Sequence, residues 1–244
     1  MEHGTWSLDR LETAVAVLSK VQNQQKQWML APIVRIPAQG GGDIPTMVKQ
    51  VLERDVLGII FPGTETKEQA LTAVRSMRYP PQRGTKYPEP PGFRGRSGGQ
   101  TWGFSKAEYQ RRADVWPLNP DGELLAIIQV ESVRGVQNIN EILDVPGVSA
   151  VYVGQHDLAM SLGVGFTDKS LTAGLDDSEH GPEWQAAVQT VLKACLAKKV
   201  VCGRSAPNEA LMTKRFNDGW RMFLGGSAAP SQIRMEMRGV GSGR

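Results

Sequence analysis

Two short strand-like runs separated by one helical segment constrain the fold of this chain more than any other feature of its sequence. The runs at 124–128 and 148–153 are rich in apolar or β-branched residues, which is typical of strands buried on both faces of a parallel sheet. Between them, segment 135–143 places apolar residues at 136, 139, 142 and 143, a helical spacing. The unit is therefore β-α-β, and its two strands must run parallel.

The same alternation extends along the chain and predicts a single α/β domain over residues 1–244, of the TIM-type (β/α)8 barrel class. The sequence predicts about six strands: the two above, and four more at 31–37, 57–62, 200–203 and 221–225. Between and around them it predicts further helices at 8–21, 44–52, 66–78, 182–198, 208–217 and 231–238.

The segment from Tyr79 to Glu123 interrupts this alternation. It contains most of the proline-rich and glycine-rich stretches of the chain, including 87–92 and 97–99. A connection of this length inside a barrel is usually functional. We interpret it as a lid or a subunit-contact loop, and the alternative is a tolerated insertion.

Two carboxylates lie at the ends of the neighbouring strands. Glu131 closes the first strand and Asp157 follows the second. In a barrel of parallel strands the reactive groups lie at the carboxyl ends, and two carboxylates suit Mg²⁺ or Mn²⁺, which take further oxygen ligands from water and substrate. The alternative for each acid is a helix cap or a solvated loop residue.

Composition excludes several classes of protein. The chain is 40% hydrophobic and 22% charged with a net charge of +3, too little charge to argue for nucleic acid, and no stretch is apolar enough to cross a membrane. Cys195 and Cys202 lie on a predicted helix and the next strand without partners at metal-ligand spacing. We expect reduced, buried thiols in a cytoplasmic protein rather than a disulfide.

An ordered set of motifs gives the chain a family resemblance. The set consists of Arg35 in IVRIP, RYPP at 78–81, QVE at 129–131, GQHDL at 154–158, and SLG at 161–163. In this order they resemble the landmarks of the class II pyruvate aldolases of the HpcH/HpaI family. The resemblance implies a metal-dependent barrel that assembles as a hexamer and acts on a 2-oxo acid and an aldehyde.

The resemblance also implies roles for individual residues. Glu131 and Asp157 would hold the metal, Mg²⁺ or Mn²⁺, with Co²⁺ as a further alternative. Gln129 and the backbone N–H groups of His156 and Asp157 would hold the 2-oxo acid. Arg35 would stabilise the enolate, and His3 would match the catalytic histidine of the family. Alternatively, His3 is a terminal residue without a role, and His156 is a structural residue of a turn.

Three departures from the family pattern stand out. Gln155 and His156 replace Pro and Ala of the usual second metal motif, and residues 87–93 enlarge the predicted lid. Both changes predict a substrate of different size or polarity. The third departure is at the start, because the family has two strands and a helix before the motif that contains His3. We therefore expect a truncated barrel with weak or no activity. The missing segment is explained by an internal start methionine, by a shortened chain, or by a protein that fills the gap through subunit contacts.

Two other functions are compatible with these residues. A lyase acting on CoA esters, related to citrate lyase β chains, uses a similar pair of acids, but the QVE spacing and the RYPP motif favour a free 2-oxo acid. The other alternative is a non-catalytic remnant that binds metal or a partner.

Overall fold

A computed structural model describes residues 5–22, 30–37, 43–96, 98–165, 180–206 and 208–224. His3 and the predicted helix at 231–238 lie outside these ranges. The described helices are α1 (Leu8–Leu18), α2 (Ile44–Leu52), α3 (Lys67–Met77), α4 (Lys106–Arg112), α5 (Val133–Gln137), α6 (Ile139–Leu143), α7 (Gln155–Ser161), α8 (Gly181–Lys198) and α9 (Glu209–Asp218).

Every strand pairing in the described sheet is parallel. The strands are β1 (Ile33–Arg35), β2 (Gly58–Phe61), β3 (Val115–Trp116), β4 (Leu124–Val130), β5 (Ala150–Val153), β6 (Val201–Ser205) and β7 (Met222–Leu224). Their order is β1-β2-β4-β5-β6-β7, and the short β3 pairs with the start of β4. The sheet of six main strands curls into a half-barrel with helices, so the predicted fold class is confirmed.

Helix boundaries follow capping residues that the sequence displays. Thr66 accepts a hydrogen bond from the backbone N–H of Gln69, and the Gln69 side chain accepts one from the backbone N–H of Thr66, which forms a capping box at the start of α3. Asn208 caps α9 through the N–H of Leu211. The predicted helix at 135–143 is instead two short helices that divide at Asn138.

The two faces of the sheet pack against different partners. Outward side chains, such as Ile128, Val130 and Val151, join a large cluster with the buried faces of the helices. Inward side chains form a smaller apolar cluster, which we call the inner cluster; its buried members are Ile60, Ile127, Ala150 and Tyr152. Because successive strand residues point to opposite faces, these two clusters fix which side chains face the barrel interior.

The cysteine prediction was wrong, because Cys195 and Cys202 form a disulfide. Cys195 lies on the buried face of α8, and Cys202 points outward from β6 towards the same helix. A left-handed residue, Lys199, ends α8 and returns the chain directly into the strand. The two Cα atoms are 6.0 Å apart, within the range of ordinary disulfides. The spacing of the two cysteines in the sequence did not predict that their side chains lie next to each other.

The segment from 79 to 123 lies at the amino ends of the strands. It follows the end of α3, not a strand, and leads into the start of β4. It also packs beside the start of β2, where Asp55 accepts hydrogen bonds from the backbone N–H groups of Gly99 and Thr101. This position does not fit a lid over the carboxyl ends of the strands. A subunit-contact role stays a prediction.

Candidate active site

Strand alternation directs three of the predicted site residues into the barrel. On β4, Ile127 belongs to the inner cluster, so Gln129 and Glu131, two and four residues later, face the same side. Arg35 ends β1, where its neighbour Val34 packs outward into the large cluster. Arg35, Gln129 and Glu131 therefore share the inner face at the carboxyl ends of their strands, a position that the sequence predicted for Glu131.

Glu131 is a buried carboxylate in a crowded position. Its side chain is buried and its Oε2 accepts a hydrogen bond from Nε2 of Gln129, which is also buried. A Cβ atom at Gly154 would lie 2.3 Å from Oε2 and 2.7 Å from Cβ of Glu131. Glycine at the end of β5 thus provides the space that the Glu131 side chain occupies. The buried Oε1 of Gln129 accepts no hydrogen bond from the described residues.

Loop contacts hold the chain that follows Glu131. The Oγ of Ser132 donates to a carboxylate oxygen of Glu65, 2.6 Å away, from the loop after β2. The Oγ of Ser161 accepts from the backbone N–H of Val133, 3.0 Å away, from the end of α7. These bonds fix the carboxyl end of β4 between its two neighbours. They also give Ser161, one of the sequence motif residues, a structural role.

His156 and Asp157 occupy the first turn of α7. The helix begins at Gln155, directly after Gly154, and both His156 and Asp157 are exposed. Their backbone N–H groups belong to the first turn, where a helix offers no acceptor of its own. Within the described ranges, no three or more His, Cys, Asp or Glu side chains gather into a metal-binding group.

Sequence reasoning missed two polar residues on the adjoining strands, Tyr152 and Ser205, which contact each other beside Gln155 of α7. Tyr152 is the register partner of Gln129 and belongs to the inner cluster. Its hydroxyl lies 3.3 Å from Oγ of Ser205, the last residue of β6. The Oε1 of Gln155 accepts from the backbone N–H of Ser205, 3.1 Å away. Counting back two residues from Gly154 would have placed Tyr152 on the inner face.

The Tyr152 hydroxyl lies in a positive electrostatic environment. Burial raises the pKa of Tyr152 above its ordinary value. The hydrogen bond with Ser205 and the positive charges of Arg35, Arg204 and Arg215 act in the opposite direction without cancelling it. Tyr152 is consequently protonated at neutral pH, and its guanidinium neighbours make this side of the barrel favourable for electron-rich oxygen atoms.

In the part of the chain that the structure describes, no helix is long and apolar enough to cross a membrane.

Sequence comparisons find relatives of this chain among known aldolases. The chain is 36% identical over 184 residues to a hydroxypyruvate/pyruvate aldolase of Delftia acidovorans, a match that covers 73% of this chain and 56% of that protein. It is 31% identical over 186 residues to a 5-keto-4-deoxy-D-glucarate aldolase of Citrobacter koseri, covering 74% of this chain and 59% of that protein. The chain thus spans less than two thirds of the length of these relatives.

A solved structure from Burkholderia cenocepacia, described as a HpcH/HpaI aldolase/citrate lyase family protein, matches the fold with a TM-score of 0.71 and 26% identity. The match covers 99% of this chain and 82% of that one. The family profile of HpcH/HpaI aldolases and citrate lyases matches residues 1–222. With the motifs in the expected order and the inner-face residues at the carboxyl ends of the strands, this chain belongs to the HpcH/HpaI aldolase/citrate lyase family.

Proposed function

We propose that this protein is a metal-dependent carbon–carbon lyase, a class II aldolase that cleaves or forms 4-hydroxy-2-oxo acids through the enolate of pyruvate. The observation that carries the proposal is the buried Glu131 carboxylate, paired with Gln129 on the inner face at the carboxyl ends of the strands. The aldolase names of the relatives support the same reaction class.

The residues at this position fit a hard divalent cation. Glu131 offers a carboxylate, and the buried Oε1 of Gln129 is an amide oxygen without a donor among the described residues. Gly154 has no side chain that would displace the Glu131 carboxylate from its position. Oxygen ligands of this kind suit Mg²⁺ or Mn²⁺. Glu131 and Asp157 would be the protein ligands, with the remaining positions open to water and substrate.

Each residue then has a defined task. When bound, the cation would polarise the keto group of pyruvate and acidify its methyl group. Gln129 and the first-turn N–H groups at His156 and Asp157 would orient the 2-oxo acid. Arg35, with its planar and positively charged guanidinium group, would stabilise negative charge on the enolate oxygen. His3 is proposed as the base that removes the methyl proton.

The atoms and protons balance in both directions of the proposed reaction. In synthesis, the methyl carbon of pyruvate loses a proton and forms a bond with the aldehyde carbon, whose oxygen gains a proton. In cleavage, the same carbon–carbon bond breaks, the hydroxyl loses its proton, and the pyruvate carbon is protonated. Neither direction needs an oxidant or reductant. A hexameric assembly and a cytoplasmic location are part of the same proposal.

The test is pyruvate release from a 4-hydroxy-2-oxo acid by chelator-treated protein, with and without added Mg²⁺ or Mn²⁺. We expect Glu131→Gln and Asp157→Asn each to lower the metal-restored rate by roughly a hundredfold or more, because each removes a ligand charge that supports several kcal/mol of transition-state stabilisation. Matched controls are Glu141→Gln and Asp121→Asn, both exposed and remote from the inner face.

Wild-type rates in either ligand variant after chelation and metal addition would contradict the metal assignment. Cleavage of a CoA ester in place of the free 2-oxo acid would identify the citrate-lyase type of reaction instead, a group that the family description includes. The fold of each variant is checked by circular dichroism, so that loss of activity is not confused with loss of structure.

A further inference from the structure

A tryptophan near the start of α8 contacts the first residue of α7. Nε1 of Trp184 donates a hydrogen bond to the backbone carbonyl of Gln155, 3.2 Å away. Trp184 is fully buried, and a buried indole N–H needs an acceptor of this kind. The bond therefore joins the outer helix α8 to the short helix that follows β5.

Two further side chains hold the Trp184 ring in place. The Arg204 guanidinium lies over the ring, 5.3 Å from its centre, in the arrangement of a cation–π interaction. On the other helix end, the His180 ring packs with its centre 4.7 Å from that of Trp184. Because these contacts fix the plane of the ring, they also fix the direction in which its N–H points.

Helix α7 is anchored at both ends and along one face. Trp184 bonds to its first residue, and Ser161 at its last residue accepts from the backbone N–H of Val133, 3.0 Å away. Leu158 and Ala159 on its inner face are buried. Asp157 lies on the opposite, exposed face, so the anchors determine where its carboxylate can reach.

The same helix starts beside Glu131. Its N-cap is Gly154, where an added Cβ would lie 2.3 Å from Oε2 of Glu131. Asp157 follows three residues later, less than one helical turn away. A rotation of the first turn of α7 would therefore change the distance between the two carboxylates. A cation such as Mg²⁺ tolerates little change of this kind, because it demands nearly ideal octahedral geometry.

We propose that Trp184 is a positioning residue that holds Asp157 at the distance from Glu131 that a divalent cation requires, acting through the carbonyl of Gln155. This inference rests on the proposed function, because it takes Glu131 and Asp157 as the metal ligands. Trp184 itself touches neither the cation nor the substrate. Loss of a group that orients a ligand typically weakens metal binding by about tenfold to a hundredfold.

Trp220 offers a matched comparison. It is also fully buried, and its ring centre also lies 5.3 Å from the Arg204 guanidinium. Its Nε1, however, donates to none of the described residues. Trp220→Phe therefore reproduces the smaller ring and the weaker contact with Arg204, but leaves the hydrogen bond to α7 intact.

The test is the dissociation constant of Mn²⁺ from chelator-treated protein, measured by electron paramagnetic resonance of the free ion. We expect Trp184→Phe to raise this constant about tenfold, and Trp220→Phe to leave it close to the wild-type value. At saturating Mn²⁺ the kcat for cleavage should recover in Trp184→Phe, because mass action restores the occupied site. A general loss of structure would not produce this separation between metal affinity and kcat.

Replacement of Trp184 by 3-benzothienylalanine covers the case in which Trp184→Phe does not fold. Sulfur takes the place of the N–H in a ring of the same shape, so only the hydrogen bond is lost. This variant should raise the Mn²⁺ dissociation constant by a similar factor. A wild-type constant in a folded Trp184 variant would overturn the proposal, and so would equal increases in Trp184→Phe and Trp220→Phe.

Mn²⁺ binding needs no substrate, which separates this inference from the proposed function. Pyruvate release by the wild-type protein, together with a Mn²⁺ affinity that does not depend on Trp184, would leave the aldolase function standing and remove the positioning role. Trp184-dependent Mn²⁺ binding without pyruvate release would contradict the aldolase function and support the positioning role. A wild-type protein that binds no Mn²⁺ would overturn the positioning role and the metal assignment together.

Discussion

At the scale of single residues, the candidate site depends on close approach between neighbouring strand ends. Glu131 and Gly154 belong to adjacent strands, and the Glu131 side chain occupies the volume that a side chain at position 154 would take. The backbone N–H of Gly154 bonds to the carbonyl of Val130 at 3.0 Å. The position of the carboxylate is therefore set by the sheet ladder and by one glycine.

Arg35 provides the residue-scale prediction. Arg35→Lys retains the charge but loses the planar fork, so stabilisation of the enolate should weaken more than substrate binding does. We expect kcat and kcat/KM to fall together, by roughly tenfold to a hundredfold, in metal-supplemented cleavage. The exchange of pyruvate methyl protons should slow by a similar factor.

Arg83→Lys is the matched control, because Arg83 is exposed and lies in the segment at the amino ends of the strands. It should have wild-type kinetics. A change confined to KM in Arg35→Lys would assign Arg35 a binding role and contradict its role in stabilising the enolate.

At the scale of elements, one arginine anchors the segment from 79 to 123 to the end of α3. The Arg78 guanidinium donates from Nε and Nη2 to the Asp114 carboxylate, at 2.7 and 3.1 Å. It also donates to the carbonyl oxygens of Pro90 and Tyr87, at 2.5 and 2.6 Å. Arg78 is the first residue of the RYPP motif, and these contacts give the motif a structural role at the end opposite the candidate active site.

Arg78→Met should therefore destabilise the protein without a direct effect on chemistry. Only 5% of the Arg78 side chain and 19% of the Asp114 side chain are exposed, so the substitution leaves a largely buried carboxylate without its main partner. The expected loss is about 3–5 kcal/mol in the free energy of unfolding, measured by urea denaturation.

Arg111→Met is the comparison, since the Arg111 side chain is 62% exposed in its pair with Glu108. An exposed pair of this kind contributes less than about 1 kcal/mol. Equal losses in the two variants would show that the buried contacts of Arg78 do not anchor the segment.

At the scale of the whole molecule, the parallel half-barrel brings the carboxyl ends of its strands to one side. The order of the described strands runs from β1 to β7, with β4 and β5 at its centre. Glu131 and Gly154 follow these two central strands, while Arg35 lies on β1 at one end of the order. A ligand that contacts Glu131 and Arg35 together would therefore link distant parts of the sheet.

Cation binding should consequently stabilise the entire fold. At a hundredfold excess over Kd, a bound cation contributes about 2.7 kcal/mol, or about 5–10 °C in Tm for a domain of this size. We expect Mn²⁺ to raise the Tm of chelator-treated wild-type protein by this amount, and to leave that of Glu131→Gln unchanged. Glu141→Gln should respond like the wild type. A rise of equal size in Glu131→Gln would place the cation elsewhere.

The sequence by itself determined the parallel α/β architecture, most of the helix starts and the strand end that carries Gln129 and Glu131. These features depend on local periodicity and on alternation along a strand, both of which are properties of neighbouring residues. The family motifs added the candidate roles of those side chains, which no local pattern contains.

Only the tertiary structure decided which distant groups meet. The disulfide between Cys195 and Cys202, the hydroxyl pair of Tyr152 and Ser205, and the placement of segment 79–123 at the amino ends all depend on how separate elements pack. The alternation of side chains along a strand indicates which face of the sheet each side chain occupies, but not which residues lie opposite it. The register of the sheet and the paths of the connections supply that information, because they bring together residues that are remote in sequence.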